Sequence, residues 1–187
     1  MFGQKRGSSV RRSLFAIGLV IVMLSAAGCT RAQGGSGPTT GSPIATQATS
    51  REEAETIATE SYESFLAVSD EVGAQGGSDT TKLSQVSEGE ALKEIVQNMS
   101  ELSEAGLRIT GATGLVYVEV ADWDDSRIRA YICEDVGAVD LLDSQGNSLV
   151  SPDRLSITPF EVELKRSQDS LFLLSERKVW TGKNFCE

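Results

Sequence analysis

The sequence predicts an α+β domain, with amino-terminal helices packed on a curved antiparallel sheet. Three observations carry this expectation. Two stretches, residues 50–72 and 87–102, each place apolar residues at helical spacing behind a Ser-x-x-Glu capping box. After Gly106 the apolar period falls from about 3.6 to about 2 and stays there nearly to the end of the chain. Polar turn clusters recur between the alternating runs, as a consecutive antiparallel meander requires.

The first segment precedes that domain. Lys5, Arg6, Arg11 and Arg12 give it a basic front without acidic residues, an eleven-residue apolar run spans Leu14 to Leu24, and Ser25, Ala26, Ala27 and Gly28 lead to Cys29. Basic head, short apolar core and small-residue cleavage site are the three parts of an export signal, here residues 1–28. A transmembrane anchor fits less well, because eleven residues at ~1.5 Å each cover about half of a ~30 Å hydrocarbon core. Residues 29–50 hold Cys29 and a Gly/Ser/Thr/Pro/Ala-rich stretch that reads as a flexible linker.

Residues 51–187 are sized for one domain with one core. Ser50 and Glu53 form the first capping box, followed by Ala54, Ile57, Ser61, Phe65, Val68 and Val72, with Tyr62 and Leu66 widening the stripe. Gly73 and Gly76-Gly77-Ser78 end that helix. Ser87-Glu88-Gly89-Glu90 opens a second one, whose stripe is Leu92, Ile95, Val96, Met99 and Leu102, and Gly106 stops it. The next run sets Val116, Val118 and Val120 on one face and Tyr117 and Glu119 on the other. Asp122-Trp123-Asp124-Asp125 reads as a turn, after which Ile128, Ala130 and Ile132 alternate with Arg127, Arg129 and Tyr131 up to Cys133. Asp143-Ser144-Gln145-Gly146-Asn147 is another turn, Phe160, Val162 and Leu164 a further strand, and Ser167–Ser170 the turn into a last strand over 171–179, with Trp180 close behind.

Composition narrows function. Without the first 28 residues the chain carries 13 basic and 27 acidic side chains, a net charge of −14. Such a surface repels nucleic acid and anionic headgroups. Histidine is absent, which removes the commonest general base and most zinc sites. Asp122, Asp124 and Asp125 lack the ordered spacing and glycine of a calcium loop, so they read as an acidic turn and no metal or cofactor is expected.

Ala26-Ala27-Gly28-Cys29 resembles a bacterial lipobox. That resemblance implies that Cys29 receives a diacylglyceryl group and becomes the new amino terminus, anchoring the protein to the outer face of the cell membrane. Arg11-Arg12-Ser13-Leu14-Phe15 is similar to the twin-arginine export pattern, although an ordinary basic head on the general pathway accounts for it as well. With Cys29 lipidated, Cys133 and Cys186 remain as one pair in an oxidising compartment, either bridged or as two buried thiols; the bridge is the expectation.

The strand ending in Cys133-Glu134-Asp135, the turn Asp143-Ser144-Gln145-Gly146, the strand Phe160 to Leu164, Trp180 and the closing Cys186 together resemble a group of exported proteins and lipoproteins with a nuclear transport factor 2-like fold from high-GC Gram-positive bacteria. The resemblance implies a cone of bent sheet around helices, a fold that hosts isomerases, hydratases and binding modules alike. It marks Asp135 as the acidic residue to test, with Tyr117 and Tyr131 as hydrogen-bond donors that an acid-base enzyme would aim at the same point. Asp135 equally suits a turn hydrogen bond beside the cysteine pair. The leading expectation is a non-catalytic binding or assembly module that takes a protein or an apolar small molecule, and the alternative is an acid-base enzyme of the isomerase or hydratase type.

Overall fold

The computed structural model describes residues 48–186. The expected export signal, Cys29, nearly all of the expected linker and Glu187 lie outside the described residues. Helix α1 (Arg51–Ala74) is followed by a 3₁₀ turn (Thr81–Gln85), helix α2 (Gly89–Glu104) and six strands: β1 (Arg108–Thr110), β2 (Gly114–Trp123), β3 (Arg127–Asp135), β4 (Asp140–Leu142), β5 (Ile157–Arg166) and β6 (Phe172–Val179). The four long strands form one antiparallel sheet in the order β2-β3-β5-β6, and β1 pairs with β4 in a separate small ribbon. Two helices on a four-stranded antiparallel sheet make the domain α+β.

The start of α1 follows its capping residues, with one change. Ser50 accepts the Glu53 amide at 3.2 Å, but the Glu53 carboxylate reaches back one residue further, to the amide and hydroxyl of Thr49, both at 2.6 Å. These bonds hold the Glu53 carboxyl below its ordinary pKa, the Thr49 hydroxyl contributing most. The second capping box does not form. Glu88 caps α2 without a side-chain bond, and the Ser87 hydroxyl instead donates to the Leu83 carbonyl at 2.8 Å inside the 3₁₀ turn. The sequence carries no periodic signal for that turn, because its single buried apolar residue, Leu83, sets no period. At the far end of α2, Gly106 adopts φ +67° and the Leu107 amide bonds back to the Leu102 carbonyl at 3.0 Å, a Schellman stop.

The main core joins Ala54, Ala58, Tyr62, Phe65 and Leu66 of α1 to Val120, Ile128, Ala130, Ile132, Phe160, Val162, Leu164 and Leu174 of the sheet. A second cluster around Val72, Leu83, Met99 and Leu102 ties α2 to the end of α1. Two sequence expectations fail at β2. Register breaks between Leu115 and Tyr117 and between Val120 and Asp122 mark bulges, and each bulge reverses which face the following residues take. The inward set is therefore Leu115, Val118, Val120 and Trp123, while Val116 is 55% exposed. Asp122 and Trp123 belong to the strand rather than to a turn, which is confined to the residues just beyond them.

The carboxy-terminal tail completes the sheet's outer surface. β6 pairs with β5 and so is not itself a neighbour of Cys133, although its end stands level with Cys133 across Pro159. Residues 180–186 cross back instead: the Trp180 amide bonds the Pro159 carbonyl on β5 at 2.9 Å, and Cys186 meets Cys133 in disulfide geometry with α-carbons 5.8 Å apart.

Candidate functional site

The pleat of β3 sends neighbouring residues to opposite faces of the sheet, and this separates the polar groups into two sites. Ile128, Ala130, Ile132 and then Glu134 point inward; Arg127, Arg129, Tyr131 and Cys133 point outward.

On the inner face, Glu134 is 2% exposed. A lone carboxylate there would be strongly disfavoured, and the structure supplies two partners. Arg177 of β6 reaches across β5 with its guanidinium 3.7 Å from the centre of the Phe160 ring. Its Nη2 donates to Glu134 Oε2 at 2.7 Å and its Nε to Oε1 at 3.1 Å. Tyr62, fully buried on α1, donates its hydroxyl to the same Oε1 and accepts from Arg177 Nε at 2.8 Å. The three groups thus form a closed ring linking α1, β3 and β6. Burial, the largest influence, pushes the Tyr62 phenol well above its ordinary pKa, with the Glu134 carboxylate adding to the rise. Burial also works against the Arg177 charge, but the Tyr62 oxygen and the Glu134 carboxylate more than offset it, so the guanidinium holds its proton more tightly than usual.

The residues marked from the sequence lie elsewhere. Asp135 is half-buried at the end of β3, where its Oδ1 accepts the Gly137 amide at 2.7 Å. It faces away from the core, so the acid of the Cys-x-Asp motif is not the enclosed one. Tyr117 and Tyr131 also miss the interior. Tyr131 packs edge-on against Trp180 with ring centres 5.3 Å apart and lies 5.5 Å from Phe185, which in turn sits 6.2 Å from the Tyr117 ring. The Tyr117 hydroxyl donates to Glu119 at 2.7 Å, and this bond raises its pKa, burial adding less. Both tyrosines therefore belong to an aromatic patch on the outer face, beside Cys133 and Cys186, and do not converge with Asp135 on one point.

The acidic residues at the end of β2 and just beyond it are likewise committed. Asp122 pairs with Arg129 and, at 3.3 Å, with Arg127, and the Arg129 bond holds its carboxyl below the ordinary pKa. Asp124 accepts the Ser126 amide and hydroxyl at 2.8 and 2.7 Å. Among the described residues no group of three or more acidic or cysteine side chains is arranged to hold a metal ion. No described helix is long and apolar enough to cross a membrane.

Alternation alone could have found Glu134, since it continues the inward series of Ile128, Ala130 and Ile132. Tyr62 lies on the buried helical stripe with Ala58, Phe65 and Leu66. Arg177 gave no such signal, because the register shift opposite Glu163 and Leu164 displaces the alternation of β6.

No family model matches this sequence, and no curated protein matches it. Solved structures of similar shape include the intermembrane space region of the chloroplast protein ARC6, 18% identical, covering 71% of this chain and 97% of that one with a TM-score of 0.48. Aln2 from a Streptomyces species is 14% identical over 66% of this chain and 87% of its own, with a TM-score of 0.44. A putative aromatic ring hydroxylase from Novosphingobium aromaticivorans is 8% identical over 71% and 96%, with a TM-score of 0.46. At this level the likeness is one of chain trace and carries no functional content.

Proposed function

We propose that this chain is the precursor of an exported lipoprotein, lipidated on Cys29 and tethered to the outer face of the cell membrane, whose nuclear transport factor 2-like cone serves as a non-catalytic binding or assembly module. The observation that carries the non-catalytic reading is the inner ring. Both oxygens of the one carboxylate enclosed among the described residues already bond Arg177 and Tyr62, so a substrate would have to displace a charged partner before meeting it. The tether rests on the basic, apolar and small-residue segments ahead of Cys29.

Cross-linking in living cells, followed by affinity capture of the full chain, tests the module reading. The wild type and a Glu134→Leu/Arg177→Met double variant are expected to recover the same partner in similar yield. The anchor has its own test: Cys29→Ala should leave the membrane fraction or keep its signal uncut, and a processed, membrane-bound Cys29→Ala protein would sink it.

The enclosure of Glu134 favours one second reading, an acid-base enzyme that uses Glu134 in place of Asp135, with Tyr62 as donor. Under that reading the double variant folds and still captures its partner, yet fails to complement deletion of the gene.

A further inference from the structure

Strand β2 closes one side of the main sheet: it pairs with β3, and among the described residues its other side carries no ladder. The opposite edge is covered, because β6 exchanges backbone bonds with the segment around Val86 and Glu88. An open strand edge invites another chain, and proteins usually blunt such edges. Here the edge instead borders a cleft of about 510 Å³, floored by Leu115 and Val118 and walled by Glu52, Glu55 and Glu60 of α1. Val116, lifted outward by the first bulge, is 55% exposed at its lip. The chain itself shows what suits this border. The Arg51 guanidinium donates to the Val120 carbonyl of β2, lies 3.8 Å from the Glu55 carboxylate and sits 5.4 Å from the centre of the Trp123 ring.

We propose that the open edge of β2, walled by the acidic face of α1, is a strand-addition site for an extended basic segment of a partner protein. The partner's backbone pairs with β2, its alternate apolar side chains cover Val116 on the outer face, and the Lys or Arg side chains between them turn inward to meet Glu52, Glu55 and Glu60 as Arg51 already meets Glu55 and Val120. This rests on the binding-module reading and adds the surface and the partner's chemistry. Loss of this site with capture from cells intact would remove the site alone, whereas loss of capture would remove the module.

The test uses the full chain in neutral detergent and three capped octapeptides: alternating Lys-Val, alternating Glu-Val, and a block peptide of four Lys then four Val. Alternating Lys-Val should slow amide exchange along residues 114–123 and bind roughly tenfold or more tighter than either control. Replacing Glu52, Glu55 and Glu60 with Gln, or Val116 with Lys, should each weaken it about tenfold while circular dichroism stays unchanged. Equal binding of alternating and block peptides would overturn the site, as would protection outside β2 or an unaffected triple variant. Concentration-dependent dimers that protect β2 without peptide would assign the edge to a second copy and overturn the basic partner.

Discussion

The two faces of β3 hold the molecule together by opposite means. Inside, Glu134 is bound by Arg177 and Tyr62, a polar ring beneath α1 in which Glu134 and Tyr62 are buried and Arg177 is part-exposed. Outside, one residue earlier, Cys133 meets Cys186, and the tail it secures lays Trp180 and Phe185 against Tyr131. The inner ring depends on mutual satisfaction, since Glu134 and Tyr62 are tolerable in the core only while bonded to each other and to Arg177. The outer clasp depends on chain connectivity and half-exposed aromatic contact, which can be loosened by degrees. A single substitution should therefore hurt the inner face more than the outer, and a paired substitution should rescue only the inner one.

The largest effect is expected from breaking the ion pair on one side. Arg177→Met leaves Glu134 charged and buried, and should cost ~3–5 kcal/mol in urea unfolding. Adding Glu134→Leu removes the orphaned charge and should recover most of that loss. A single variant that costs under ~1 kcal/mol would mean that the pair is effectively solvated and the contrast between faces false. Next comes the clasp. Replacing Cys133 and Cys186 with Ala removes a link across a sequence separation of 53 and should cost ~2–4 kcal/mol. Its signature is local: Trp180 fluorescence should shift to longer wavelength in native buffer as the tail frees, in a Trp123→Phe background that isolates it.

Tyr62 sharpens the comparison through pH. Its folded pKa is raised, first by burial, so the native state holds the phenol proton more tightly than the unfolded chain does. The stability this gives is fully present below the unfolded value near 10 and is lost as pH rises toward the folded one. The urea midpoint should therefore fall above about pH 10, and absorbance at 295 nm should show one of the three tyrosines ionising only with unfolding. Tyr62→Phe should flatten that decline and cost ~1–3 kcal/mol at neutral pH, because Glu134 loses a donor. If a tyrosine other than Tyr62 proved to be the one that ionises only with unfolding, the inner and outer assignments would be exchanged.

Much of the fold was legible from period and punctuation. The stripes of α1 and α2, the Gly106 stop, the inward triplets of β3 and β5 and the 143–147 turn all stand where the sequence placed them. The failures in the strands share one cause, which is that local rules cannot see backbone irregularity or long-range pairing. Bulges moved Val116 outward and kept Asp122 and Trp123 in a strand, and β1 finds its partner β4 only in three dimensions. The candidate site was less legible. A motif drew attention to Asp135, while the plain alternation through Ile128, Ala130 and Ile132 already pointed at Glu134. Nothing local marked Arg177, whose reach across β5 is a property of the sheet.

The smallest expected effect falls at Asp135, and it tests the comparison most directly because its neighbour provides the control. Asp135 contributes one acceptor to the Gly137 amide at a half-exposed turn. Asparagine keeps an oxygen at that position, so Asp135→Asn should change stability by no more than about 0.5 kcal/mol, as surface substitutions usually do. Asp135→Ala frees the Gly137 amide, but water can take the oxygen's place, so its cost should stay near ~1 kcal/mol or below. Glu134→Gln removes a charge from the grip of Arg177 one residue away and should cost several times more. Measured side by side in urea, the two amide variants make the same carboxylate-to-amide change on opposite sides of the pleat of β3. A larger loss at Asp135 than at Glu134 would mean that the acid of the Cys-x-Asp motif, and not the enclosed glutamate, is the one this domain is built around.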